Sequence, residues 1–433
     1  MTGMPLASEG ARRPATTPWG AVLLVAVVFL IVEHSIFASA STGPLASMQD
    51  YSATVTAGSG VRPVALIILA LGAIGSIPHR NRRGLVRAAP NVLGWLMVGF
   101  ALLALASALW SDNRMFTIRR LAAMATVAVA AVAYRRMPGD SFLRLVFLVT
   151  LGYLAAGLAR EAMLGTFHPW NPGYRFSGTL SPNIQGVNCA LLFFSGLSLA
   201  RARGRRRLAL AFVLLLALFC LFLARSRTAL GALVVAASFY AFLSLVRARP
   251  LLLWASLCLA ASVAALAILV GQGSTALPEA LELGRVDSDP ATLTGRTQLW
   301  EECLSYARAK PWFGYGYDGF WFPDRIMEVS KAVRWPIRHA HSVYLEVMLG
   351  LGGFGLFTYV SIFALGIWRA AKVAFATGNA ADLFVAALLV YCAVQGLLEP
   401  TVVTLSLLSF LCMTALARLG FPTHLPGEEA VEG

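Results

Sequence analysis

"RHAHSVYLEVMLGLGGFGLFTYVSIFALGIW" occupies residues 338–368, and its reading decides the fold. It opens with a cation and two imidazoles, His339 and His341. From Ser342 to Trp368 the sole charge is Glu346. A bilayer core about 30 Å thick is crossed by about 20 apolar residues in a helix. The run 342–368 is longer than that, so it has room to start above the bilayer, to tilt, or to bend at Gly352, Gly353 and Gly355. Titratable side chains at the mouth of such a helix then need a reason.

The rest of the chain has the same character. Of 433 residues, 58% are hydrophobic and 13% are charged, with mean hydropathy +0.71. A soluble domain is about half apolar and a quarter charged. Twelve apolar runs are candidate spans: 18–38, 62–78, 91–110, 120–134, 142–159, 183–200, 208–224, 228–246, 251–271, 342–368, 382–398 and 401–417. The expected fold is an all-α polytopic bundle forming a single membrane domain over residues 1–433. The first run ends near "FASAS" (37–41), which superficially fits a signal-peptide boundary; an uncleaved first span is the preferred reading.

The net charge of +14 raises the question of nucleic acid. The basic residues cluster between apolar runs, so the charge reports membrane orientation and no nucleic-acid partner is expected. "HRNRRGLVR" (79–87), "YRR" (134–136), "RARGRRR" (201–207) and "RAR" (247–249) fall on one side if spans alternate. That side is expected to be cytoplasmic, with both termini. The opposite face carries residues 272–341, between the ninth and tenth spans and too long for a plain connector. Five of six cysteines lie in apolar runs, with no CxxC and no Cys/His pair at ligand spacing, so neither a zinc site nor a disulfide framework is expected.

The outer segments carry the chemistry. In "TGRTQLWEECLSYARAKPWFGYGYDGFW" (294–321), Leu299, Trp300, Cys303, Leu304 and Ala307 recur at helical spacing, and Pro311 ends the pattern. "FGYGYDGF" then reads as a tight aromatic turn. Arg296 stands at the start of this amphipathic helix, where free N–H groups favour anions and a guanidinium adds a fork suited to phosphate; a solvated charge is the plain alternative. "ARSRTALGAL" (224–233) holds Arg225 and Arg227 between two spans, either snorkelling or forming an anion clamp. "NPGYRFSGTLSPNIQG" (171–186) is a loop with Arg175, Asn183 and Gln185 available to sugar or phosphate, or to cap the next span. "LWSDNRMFTIRR" (109–120) adds Arg114, Arg119 and Arg120. His341 and Ser342 stand where the long loop re-enters the bilayer. A histidine at a dry, cation-rich boundary is kept neutral and is suited to act as a base; a satisfied interfacial histidine is the plain alternative, and His339 is read as less constrained. Glu33 and His34 lie inside the first run, as a mutual pair or a signal-like boundary. Glu346 lies below His341, facing the bundle or orienting a base.

"HSVYLEVMLGLGGFGLFT" (341–358) fits a pattern of histidine, a small polar residue, nine residues, then Gly-x-x-Gly. It resembles the O-antigen ligase and Wzy polymerase superfamily of bacterial membrane glycosyltransferases, as do "SRTALGAL" (226–233) and "GRTQLW…KPWFGYGYDGF" (295–320). The resemblance covers residues 170–365 best. It implies a GT-C-like fold in the bacterial inner membrane and a metal-independent reaction on the periplasmic face, with no cofactor. It implies an undecaprenyl-diphosphate-linked glycan as donor and, as acceptor, a lipid-linked repeat unit or lipid A–core. By motif position His341 matches the essential histidine, and Arg227 and Arg296 the diphosphate-binding arginines, with Arg225 beside them. Arg175, Asn183 and Ser342 are expected on the substrate, although Ser342 stands where the family often has Asn. A repeat-unit polymerase is narrowly favoured over an O-antigen ligase. A transporter or flippase for lipid-linked sugars is the alternative from another class; its usual internal repeat and midplane polar residues are not evident here.

Overall fold

The computed structural model describes residues 18–41, 60–76, 89–171, 173–202, 207–246 and 296–422. Among them are thirteen α-helices and no strand: α1 (Trp19–Ser41), α2 (Val61–Gly75), α3 (Val92–Ala106), α4 (Arg114–Tyr134), α5 (Gly139–Met163), α6 (Pro182–Ala202), α7 (Arg207–Ala224), α8 (Arg227–Val246), α9 (Arg296–Ala309), α10 (Pro323–Val333), α11 (Val343–Thr377), α12 (Ala380–Gln395) and α13 (Leu407–Gly420). Six helical segments are long and apolar enough to cross a membrane, and five shorter helices are also apolar. The protein is a polytopic helical membrane protein. Eleven of the twelve expected runs coincide with these helices; the run 251–271 lies outside the described residues.

The bundle is inside-out relative to a soluble core only at its rim. On α7, Leu208, Phe212, Leu215, Phe219 and Phe222 form an exposed apolar stripe, while Ala217, Cys220, Leu221 and Ala224 are buried. With lipid as solvent such a stripe has no need to be covered. Helix α12 is the opposite case: most of its side chains are buried, and it packs against α5, α6, α8, α11 and α13. Helix α1 is part of the bundle, with Val25, Phe29 and Val32 fully buried and Ala26 O accepting from Tyr153 Oη at 2.8 Å.

Several boundaries differ from expectation, and those nearest the site have a local reason. Helix α4 begins six residues before the expected run, because the Asn113 side chain caps it by accepting from Phe116 N at 3.1 Å. Arg114, Arg119 and Arg120 are therefore helical, not loop residues. The expected spans 382–398 and 401–417 are trimmed to α12 and α13, leaving 396–406 non-helical. Pro400 supplies no N–H there, and Ser406 starts α13 afresh with a reciprocal Ser406/Ser409 capping box. In α9, Leu299, Cys303 and Ala307 are buried as expected, but Leu304 is exposed.

Helix α11 does bend at its glycines. Gly352 has φ 66° and ψ −163°, which breaks the helix in two. The glycines were expected to admit a neighbouring helix; what approaches is a loop. Tyr315 N and Gly316 N donate to Leu349 O and Gly350 O at 2.8 and 2.9 Å, and Gly353 N donates to Pro311 O at 2.7 Å. These bonds satisfy backbone groups that the break would leave orphaned. A Cβ on Gly352 would stand 2.2 Å from the carbonyl carbon of Trp312, and one on Gly314 would stand 2.4 Å from Leu349 O. The "FGYGYDGF" stretch is thus the tight aromatic turn expected from its glycines, and its specific task is to latch the broken helix.

Candidate active site

At one end of the bundle the connections 164–181, 225–226, 310–342 and 396–406 meet. Each is held by groups that the sequence supplies for that purpose. The Glu161 carboxylate, at the end of α5, accepts from Ser177 N and Gly178 N at 3.0 and 2.7 Å and from the Tyr174 hydroxyl. It folds the loop that presents Arg175. Gly186 allows α6 to approach the α7–α8 turn, since a Cβ there would lie 2.8 Å from Ser226 Cβ.

The histidine loop is clamped around Ala340. Trp300 Nε1 donates to Ala340 O at 2.9 Å, and Ala340 N donates to Glu346 Oε1. The other Glu346 oxygen accepts from Trp321 Nε1 at 2.7 Å. Glu346 therefore does more than face the bundle: it fixes the backbone next to His341. Clamped in this way, His341 adopts φ 52°, a left-handed conformation that for a non-glycine residue stores about 1–3 kcal/mol. Ser342 then caps α11 by backbone only, and Val343 N donates to Gly396 O at 2.8 Å, joining the loop to the end of α12.

Glu399 is the hub. Its Oε1 accepts from Arg296 Nη2 at 2.9 Å and from Asn183 Nδ2 at 3.1 Å. Its Oε2 faces His341 Nδ1 at 3.7 Å, a charge-pair distance that is long for a hydrogen bond. Arg296 also donates from Nη1 to Leu398 O at 2.7 Å, so it is not a solvated charge. Asn183 Oδ1 accepts from Arg175 Nη2 at 3.0 Å, and Arg175 Nε donates to Ala224 O at 3.2 Å. The chain of contacts thus runs from the α7–α8 turn through Arg175 and Asn183 to Glu399, and from there to Arg296 and His341. Arg225 and Arg227 lie in electrostatic range of Arg175. Burial pushes the Arg175 guanidinium below its ordinary value, and Arg225 and Arg227 push the same way. Burial alone would raise Glu399, but His341 and Arg296 outweigh it and hold the carboxyl below the usual carboxylate range.

A cavity of about 440 Å³ opens beside this hub, lined by Arg175, Asn183, Trp321, His339, His341 and Glu399 among others. Arg225, Arg227, Arg296 and Ser342 are not in its wall. His339 is not the looser of the two histidines: its ring centroid is 4.1 Å from that of His341. Burial, then His341, Arg338 and Arg296, keep it well below the ordinary histidine value. Glu33 and His34 are not a mutual pair. Glu33 Oε1 accepts from Leu407 N at 2.8 Å, at the start of α13, and His34 Nδ1 lies 3.0 Å from Thr179 O. Among the described residues no group of three or more His, Cys, Asp or Glu side chains is placed to hold a metal ion.

Residues 210–360 match the O-antigen ligase family. The matched stretch runs from α7 into α11 and contains Arg225, Arg227, Arg296 and His341, whereas Arg175, Asn183 and Glu399 lie outside it. The chain is also similar to "Exopolysaccharide production protein ExoQ" of Rhizobium meliloti (strain 1021), 25% identical over 281 residues. That similarity covers 60% of this chain and 61% of the relative's length. Both findings support the O-antigen ligase and Wzy-like superfamily indicated by the sequence motif.

Glu399 is the residue that sequence reasoning missed. Its signal was present: a lone carboxylate, followed by Pro400, between two apolar runs. An ionisable residue at membrane depth is a functional candidate by default. Glu33, inside the first apolar run, serves a helix terminus instead.

Proposed function

We propose that the protein is a glycosyltransferase that moves a glycan from undecaprenyl diphosphate to a sugar hydroxyl on the periplasmic face. The observation that carries this reading is the shared carboxylate: Glu399 joins Arg296 to His341 at the wall of a cavity. A buried carboxylate set against one imidazole nitrogen orients the ring, as a general base requires. In the proposed step the acceptor oxygen attacks the anomeric carbon and its proton passes to His341. The bond from that carbon to the diphosphate breaks, and undecaprenyl diphosphate leaves with the electron pair. Arg227 and Arg296 hold the diphosphate and stabilise the charge it gains, with Arg225 as a further cation. Arg175 and Asn183 contact the glycan, and Ser342 lies at the helix start below it. None of these roles requires a metal ion.

The relative's description as an exopolysaccharide production protein supports a polymerase, in which the acceptor is a second lipid-linked repeat unit. The ligase reading, with lipid A–core as acceptor, is favoured by the description of the matching family. The deciding experiment incubates purified protein with lipid-linked repeat units, with and without lipid A–core. A product ladder without core indicates polymerisation; a product that appears only with core indicates ligation. Absence of both from folded protein would overturn the glycosyl-transfer reading.

A further inference from the structure

The cavity has a second pole that the proposed donor chemistry does not use. Arg62 from α2, Arg120 from α4 and Arg338 from the histidine loop all line it. Three separate parts of the chain therefore converge guanidinium groups on one hollow. They are close enough for Arg120 and Arg338 both to repel Arg62. Of the carboxylates in the wall, Asp318 pairs with Arg120 at 3.2 Å, Glu399 faces Arg296 and His341, and Glu33 and Glu346 accept from N–H groups. A concave wall on which three guanidinium groups converge focuses field on an anion. The Arg120 and Asp318 side chains are 36% and 37% exposed, so this pole is reachable from outside. Tyr317 and Trp321 line the same region, placing aromatic surface, which suits the apolar faces of a sugar ring, next to the cations.

We infer that this pole binds an oxyanion, phosphate or carboxylate, carried by the acceptor saccharide. The word acceptor rests on the glycosyl-transfer reading above; the anion site itself does not. Arg338 is three residues from His341, so their Cα atoms are at most about 10 Å apart, and both line the same cavity. That reach fits a saccharide laid across Trp321 with its hydroxyl at His341 and its charge at Arg338.

The test uses the full chain in phosphatidylcholine nanodiscs and titration calorimetry with glucose 1-phosphate, glucuronic acid and glucose. The phosphate and carboxylate arms tell the two oxyanion sources apart. At least one anionic sugar should bind tenfold or more tightly than glucose. Arg338→Gln and Arg62→Gln should each weaken it by about 10- to 100-fold, the loss expected for a charged hydrogen bond. Arg338→Lys keeps the charge and should retain most of the binding, and matching melting temperatures identify folded variants. Undecaprenyl diphosphate, titrated separately, should bind these variants within twofold of the wild type. Equal binding of glucose and both anionic sugars would overturn the inference. So would folded Arg338→Gln and Arg62→Gln proteins with unchanged anion binding, or an equal loss of undecaprenyl diphosphate, which would make the pole part of the donor site. The donor reading fails independently if Arg227→Lys leaves undecaprenyl diphosphate binding intact.

Discussion

Glu399 faces His341 Nδ1 across 3.7 Å with one carboxylate oxygen while its other oxygen holds Arg296 at 2.9 Å. A single buried acid thereby ties the proposed base to a proposed phosphate ligand. Removing it leaves a buried guanidinium without its counter-charge. Glu399→Ala should cost about 3–5 kcal/mol. Glu399→Gln keeps the shape and should fold better, yet lose activity with a shifted pH profile. Because the folded carboxyl lies below its ordinary value, its stabilising effect is complete above about pH 5 and is lost as pH falls through the folded value. Thermal melts from pH 7 down to pH 3 should show wild type losing stability at the acid end. A Glu399→Gln protein with the same acid slope would remove Glu399 from this account.

His341→Ala should lower turnover by about 10²–10⁴ while leaving donor binding nearly intact. His341→Gln fills the space and tests packing alone. A folded His341→Gln protein with near-normal turnover would falsify the base assignment. His339→Ala should have a smaller effect, arising from the loss of the ring packed against His341.

Arg227→Lys and Arg296→Lys keep the charge but lose the planar fork. Each should reduce donor use by about 10²–10³. Arg296→Lys should also lower the melting temperature, since Arg296 bonds both Leu398 O and Glu399. Measuring kcat and KM for the donor together with melting temperature separates lost donor contact from lost stability; folded variants with unchanged donor KM and kcat would sink the assignment.

Gly352→Ala places a Cβ 2.2 Å from the Trp312 backbone at a positive φ. Such strain is worth about 1–3 kcal/mol before the clash is counted. Gly353→Ala is the control, because its nearest neighbour would be Pro311 O at 3.3 Å. Melting in detergent should rank Gly352→Ala well below Gly353→Ala, and similar values would count against the latch.

Orientation is checked by labelling. Single cysteines at positions 170 and 331, both exposed, should react with an impermeant thiol reagent from outside, and one at position 204 should not. The reverse pattern would place the proposed site in the cytoplasm.

Most of the fold was legible because lipid imposes a simple rule: a long apolar run becomes a helix. Leu208 to Ala224 could be read that way without knowing any neighbour. The helix ends were less legible, since Asn113 and Ser406 act through caps that depend on local geometry. In the site, Arg296 and His341 were visible from their positions at element starts. Their meeting through Glu399 was not, because Glu399 is 58 residues beyond His341 and only the packing of α12 against α11 brings it back. The role of Glu346 was hidden for a similar reason: its partners are a backbone amide and an indole from the preceding loop.

The bonds between the 311–316 turn and the broken α11 are made by main-chain atoms. Main-chain atoms are the same in every residue, so the join places few demands on side chains beyond the glycines that allow contact. None of these bonds uses the side chains of Trp312 and Phe313, whose rings meet Phe354 instead. The fold thus separates what must be constant from what can diverge. A chain built this way can change the side chains around its cavity by point substitution, without first relearning how to bend its membrane helix.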